Sequence, residues 1–322
     1  MICWSGKILA QYIEQYPHFE HDGNRLSGYF KAPSDESNMT GVVLFISGDG
    51  AIPYDAHGYY DAIWQVFLDA GYAIFCWDKP GVGQSSGNWL DQSMLDRQNE
   101  VRAAIDYVKS HYKNKAKTIG LVGFSQAGWV APALMRNNRD VNFMVGVGYA
   151  INWLEQSWYM TEMRLQRQGV SVEVLNQAKA KYRQERAFWQ NNPNYDDYVR
   201  LFSNKDHPIS KVRFDFIKNN VLSDASKDYI GLKQPMLILL GENDEYVDTE
   251  NTFNVLTSLY REQSNVTIKI IPDATHGLLK YPNFSSQTND IVVLVKLLLL
   301  GERAYAPDFF ITLSQWLDRP NR

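Results

Sequence analysis

Short apolar runs rich in β-branched and aromatic residues recur along the first half of the chain. They are LSGYFK at 26–31, VVLFI at 42–46, YAIFCW at 72–77, TIGLV at 118–122 and VNFMVGV at 141–147. Two more come late, MLILL at 236–240 and VTIKII at 266–271. Near-continuous apolar runs of this length suit strands covered on both faces of a largely parallel sheet. Between them the period changes: apolar residues return at about every third or fourth place over 95–107 and 252–260, the spacing of a helix with one buried face. Strand and helix patterns in alternation predict an α/β fold, a doubly wound, mostly parallel central sheet.

One block breaks the alternation. From 151 to 228 no strand-like run appears, and stretches such as NWLEQSWYMTEMRLQRQG and VEVLNQAKAKYRQERAFWQ are helix-forming. The sheet pattern resumes at Met236 after KQP. The domain reading is therefore one core built from residues 1–150 and 229–322, with a helical insertion at 151–228. The most apolar late segment, IVVLVKLLLL at 291–300, is too short to cross a bilayer and contains Lys296. Its pattern predicts a buried helix or strand.

Composition narrows the function classes. At 322 residues, with 45% hydrophobic and 21% charged residues, the chain is an ordinary globular protein near the upper size of one compact domain. A formal charge of −4 provides no basic field for nucleic acid and no polybasic membrane anchor. The two cysteines, Cys3 and Cys76, form neither a CxxC pair nor a metal-ligand spacing, so both read as reduced thiols, Cys76 within a buried strand. The start MICWSGKILAQY has no basic n-region and no long apolar run. These features place the chain in the cytoplasm, without a membrane span.

Candidate chemistry centres on TIGLVGFSQAGWVAP at 118–132. An apolar strand ends in glycine, a single serine follows, and a helix-forming segment begins. A strand that turns into a helix at one residue forces that residue into a strained backbone conformation. Its neighbours two positions away then crowd each other, which explains Gly123 and Ala127 around Ser125. The turn lifts the hydroxyl to the mouth of the helix, where free N–H groups and positive potential gather. A capping serine or a phosphate-binding turn is the bland alternative; a dinucleotide site fits less well, since no G-x-G-x-x-G occurs there. The spacing is the nucleophile-elbow pattern G-x-S-x-G with Ala127 in the last place, and here the chain resembles the α/β-hydrolase superfamily.

The resemblance extends over about 21–300 and carries a chain order of serine, acid, histidine, each after a strand. After MLILL comes GENDEYVD, in which Asp244 matches the acid and Asp248 is the runner-up, better suited to capping the next helix. After VTIKII comes PDATHGL, in which His276 matches the base. SGDGAIPYD at 47–55 resembles the family's H-G-x-G loop with Ser47 in the histidine's place. The resemblance implies an oxyanion hole from the backbone N–H groups of Gln126 and Asp49, with Gly50 the alternative to Asp49 and the aspartate carboxylate turned away. WDKPGVGQSSG at 77–87 matches D-x-x-G-x-G-x-S through Asp78, Gly81, Gly83 and Ser85, in a structural role. FEHDGNRLSGYFKAP at 19–33 is similar to the first hairpin of esterase-like and oligopeptidase-like members.

By resemblance the protein is a serine hydrolase that cleaves a carboxylic ester or thioester through an acyl-enzyme, with Ser125, Asp244 and His276 as triad and no metal or organic cofactor. The block at 151–228 matches the family's helical cap. Its aromatics Trp153, Trp158, Tyr159, Phe188 and Trp189 either line an acyl pocket or pack the cap, and Arg164 and Arg167 either meet an anion or face solvent. Two other readings stay open: a peptidase or amidase on short peptides, using carboxylates such as Glu155, Glu162 or Glu173, and a catalytically silent binding protein.

Overall fold

The computed structural model describes residues 12–35, 39–113, 115–202 and 208–319; Cys3 lies outside them. Among the described residues nine strands join in one sheet: β1 (Tyr12–Gln15), β2 (His18–His21), β3 (Asn24–Pro33), β4 (Gly41–Ile46), β5 (Tyr72–Trp77), β6 (Ile119–Phe124), β7 (Val141–Val147), β8 (Met236–Gly241) and β9 (Val266–Ile271). Their order across the sheet is β1-β3-β5-β4-β6-β7-β8-β9, with β2 paired to β3. β1 and β2 run antiparallel to β3, and β3 antiparallel to β5; from β5 to β9 every pairing is parallel. This is the α/β-hydrolase architecture.

The predicted two-sided burial holds in the centre. On β4, Val42, Leu44 and Ile46 enter one apolar cluster while Val43 and Phe45 enter the other. Helices α1 (Asp61–Asp69) and α10 (Pro307–Leu317) pack against each other over the second cluster. Helix α2 (Met94–His111) covers the first, its start fixed by a reciprocal Ser93–Asp96 capping box. β9, by contrast, is half-buried along most of its length because it is the edge strand. Between β7 and β8 lie four helices, α4 (Trp153–Arg167), α5 (Val172–Gln190), α6 (Tyr195–Leu201) and α7 (Lys211–Asn220).

Two expectations need correction. The apolar run at 291–300 forms helix α9 (Asp290–Leu300), yet none of its residues is buried, and Leu298 and Leu299 are 79% and 80% exposed. The helix lies outside the sheet's layers and packs partly through Val293 and Leu297, so its remaining apolar faces have no element opposite them. The helix-forming segment after Ser125 is two pieces. A 3₁₀ turn over Ser125–Trp129 breaks at Val130, and α3 (Ala131–Asn137) restarts with Pro132 in its first turn, where a missing N–H costs nothing.

The strand order also positions the site. β5 lies on one side of β4 and β6 on the other, so the chain reverses its direction of sheet growth at β4. Open α/β sheets bind ligands at the carboxyl ends of the strands flanking such a reversal. The loop after β4 and the turn after β6 meet there, with Ile46 opposite Gly123 in register.

Candidate active site

Ser125 stands directly after β6 with φ 51°, a left-handed conformation that few residues with a β-carbon adopt. The crowding inferred from the sequence is present: a β-carbon built on Gly123 would lie 2.9 Å from that of Ala127. Such a backbone persists only where its surroundings enforce it, at a cost on the order of 1–3 kcal/mol. Here β6 is buried along its whole length, as is the turn from Gln126 to Trp129.

His276 and Asp244 come together from the loops after β9 and β8, with His276 Nδ1 2.7 Å from Asp244 Oδ2. Asp244 is buried, and its other oxygen accepts the N–H groups of Tyr246 (2.8 Å) and Val247 (2.9 Å), which fixes the carboxylate's plane. Burial of the imidazole opposes its charged form, but the Asp244 charge and hydrogen bond outweigh it and raise the His276 pKa above the ordinary value. With Nδ1 engaged, Nε2 is the nitrogen left for a proton from elsewhere. Ser125 and His276 line one cavity of about 930 Å³. Asp248, the runner-up acid, caps α8 (Thr249–Leu259) by accepting the Asn251 N–H at 2.9 Å.

The loop over 47–50 is held from beneath by two buried cations. Arg97 Nη2 donates to the Ser47 carbonyl at 2.6 Å, and Lys79 Nζ donates to the carbonyls of Gly48 and, at 2.9 Å, Gly50. In a trans peptide the N–H points opposite the C=O. Turning the Gly48 carbonyl down onto Lys79 therefore turns the Asp49 N–H the other way, and Asp49 lines the cavity. The Asp49 carboxylate is engaged by Gln126 Nε2 at 2.9 Å and Arg213 Nη2 at 3.1 Å. Burial opposes its ionised form, but the Arg213 hydrogen bond and charge hold its pKa below the usual carboxylate value. Arg97 also donates to Gln126 Oε1 at 2.6 Å, so one guanidinium ties the loop to the residue after Ser125.

Sequence reasoning missed several supporting residues. Arg97 and Glu100 sit among Met94, Val101, Ala104 and Val108 on the buried side of α2; charges on an apolar stripe are a signal of a buried polar network. Glu100 accepts the Trp77 indole N–H at 2.7 Å and a bond from Gln92. Lys79 is 2% exposed, and burial depresses its pKa well below the ordinary lysine value. Gly148 abuts the His276 ring, since a β-carbon there would lie 2.8 Å from His276 Cε1. Tyr159 Oη donates to the Asp244 carbonyl at 2.7 Å. Trp153 and Trp189 line the cavity, Trp158 and Tyr159 line a separate groove, and Phe188 packs on Trp189 and Phe202. Arg167 pairs with Glu245 at 2.7 Å, whereas Arg164 faces the cavity.

Residues 38–283 match the family model described as serine aminopeptidase, S33, and the chain belongs to that family of hydrolases within the α/β-hydrolase superfamily. Solved structures with the same fold include the Pyrococcus furiosus esterase PF2001 (16% identity, 98% of this chain and 94% of that one, TM-score 0.58). Est1E from Butyrivibrio proteoclasticus, with ferulic acid bound, aligns at 15% identity over 88% and 98%, TM-score 0.53. The Mycobacterium smegmatis proline iminopeptidase aligns at 14% over 94% and 97%, TM-score 0.60. No curated protein sequence matches.

Proposed function

We propose that the protein is a serine esterase acting on a carboxylic ester or thioester, with Ser125, His276 and Asp244 as its triad and the four helices between β7 and β8 as a cap. The carrying observation is the strained Ser125 sharing a cavity with a histidine whose Nδ1 is already held by a buried carboxylate. Ser125 Oγ attacks the carbonyl carbon as its proton passes to His276 Nε2, and Asp244 stabilises the imidazolium. The carbonyl electron pair becomes an oxyanion that accepts from the Gln126 and Asp49 N–H groups. The intermediate collapses as the leaving group takes the proton from His276. Water, deprotonated by the same ring, then repeats the sequence on the acyl-enzyme and frees the acid.

The ester reading is favoured over removal of an amino-terminal residue by the cavity's charge. A peptide's ammonium needs unpaired carboxylates to hold it, and among the described residues the cavity's two outside the triad, Asp49 and Glu185, each already have a cation partner. Ser125→Ala is expected to retain the fold, by circular dichroism and Tm, and to lose turnover of p-nitrophenyl esters by roughly 10⁴-fold or more. Undiminished turnover rejects the assignment. A folded wild-type chain that a fluorophosphonate does not label indicates a silent binder, and preference for amino-acid anilides over esters indicates the peptidase.

A further inference from the structure

The cavity is roofed by matching faces of two helices. On α4, Ser157, Thr161 and Arg164 recur at helical spacing toward it; on α5 the pairs Lys181 and Glu185, and Tyr182 and Arg186, do the same. Among the described residues four cations line the cavity, Arg164, Lys181, Arg186 and Arg213, against the two carboxylates Asp49 and Glu185. Both carboxylates are taken: Arg213 pairs with Asp49 at 3.1 Å and Lys181 with Glu185 at 3.8 Å. That leaves Arg164 and Arg186 with no carboxylate partner among the described residues. Arg186 lies beside Tyr182, whose hydroxyl donates to the Leu154 carbonyl at 2.7 Å, and it borders both the cavity and the groove with Glu155 and Glu162.

A guanidinium stays charged at any working pH, and its planar fork fits a carboxylate or phosphate in two parallel hydrogen bonds. Both arginines line a cavity that Trp153, Leu154, Leu165 and Trp189 share, Arg186 half-buried and Arg164 open to solvent, and neither has a counter-charge among the described residues. Among the described residues the excess charge of the lining is positive. Arg164 also lies two turns beyond Ser157 on α4, about 10 Å along the axis, which places its charge at a distance along the roof.

We propose that the substrate carries an oxyanion, a carboxylate or phosphate, at the end of the molecule held under α4 and α5, and that Arg164 and Arg186 select it. This rests on the esterase reading above and adds the substrate class. The same charge disfavours a substrate with a free amine at that end.

The test has two readouts on one substrate set: esters ending in a carboxylate, a phosphate, a methyl or an ammonium at equal chain length, with the end group placed on the acyl arm or the alcohol arm. Wild-type kcat/KM is expected to favour an anionic end over the methyl end by about tenfold or more at low salt, less at high salt. The ammonium end ranks last, and carboxylate against phosphate identifies the anion. The preference falls toward one in Arg164→Gln and Arg186→Gln and is partly kept in Arg164→Lys. Binding is read on Ser125→Ala by quenching of tryptophan fluorescence with the stable alkyl esters, since Trp129, Trp153 and Trp189 line the cavity. Equal turnover and equal binding of anionic and neutral esters overturn the anion site and leave the esterase standing. Anion-selective binding with no turnover of any ester by the wild type overturns the esterase and leaves the anion site.

Discussion

The sheet and the helices between β7 and β8 are built on different principles. β4, β5, β6 and β8 are buried at every position, whereas α5 and α6 contain no buried residue. α4 and α7 join the core through Trp153 and Phe216, and scattered polar contacts add to this: Arg213 to Asp49, Tyr159 to the Asp244 carbonyl, Arg167 to Glu245, and Asn220 to Met94 N–H and the Gln92 carbonyl. Close packing can hold a nucleophile in a strained turn and a base against its acid to within tenths of an ångström. A half-exposed roof cannot, but it can change its lining without disturbing the sheet. The comparison teaches that residues on the sheet side should control the rate of the chemical step on every ester, and residues on the roof the ranking among esters.

The strongest way to break that division is to disturb the proton path. Asp244→Asn is expected to lower kcat by about 10³–10⁴-fold, because the amide no longer holds the ring or stabilises its charge. The pH profile sharpens the same point. The proposed mechanism needs neutral His276, whose pKa is raised, so kcat/KM should climb through a midpoint above the ordinary imidazole value of about 6.5 and shift lower in Asp244→Asn. A wild-type midpoint below 6.5 contradicts the pairing. The sign for stability runs oppositely: the His276–Asp244 pair contributes fully below about pH 6.5 and loses its contribution as pH rises through the raised value. The base becomes active over the interval in which the pair stops stabilising the fold.

Next in size is Gly148→Ala, which puts a β-carbon against His276 at a φ of 61°. Displacing the ring should cost about 10²-fold in kcat on all esters alike; an unequal loss that tracks chain length would move Gly148 into the roof's class. Lys79→Met keeps the stem but removes the donor under Gly48 and Gly50. A fall in kcat of about 10–100-fold with little change in KM is expected, since the loosened N–H groups matter most when the oxyanion forms; a rise in KM alone would refute this placement. The smallest effect belongs to Glu245→Gln, which breaks a partly exposed ion pair between α4 and the acid's loop. Its expected cost is less than about 1 kcal/mol by denaturant unfolding, and a larger one would mean that the roof and sheet are not separable.

Periodicity alone was enough to read the alternating α/β core, the helical block between the sheet's seventh and eighth strands, and the turn at Ser125. Each of these depends on a local constraint: two-sided burial of a strand, one-sided burial of a helix, or a steric limit within five residues. The same local logic failed for α9, because an apolar run records what the chain can bury and not whether anything lies opposite it. It failed again for Lys79, Arg97 and Gly148, whose roles come from partners 29–31, 29–50 and 128 residues away. The candidate site residues were thus nominated by short stretches of chain. Their supports, the direction of the Asp49 N–H and the unpaired positive charge of the roof exist only after distant segments are packed together, since electrostatic and steric complementarity are properties of neighbours in space.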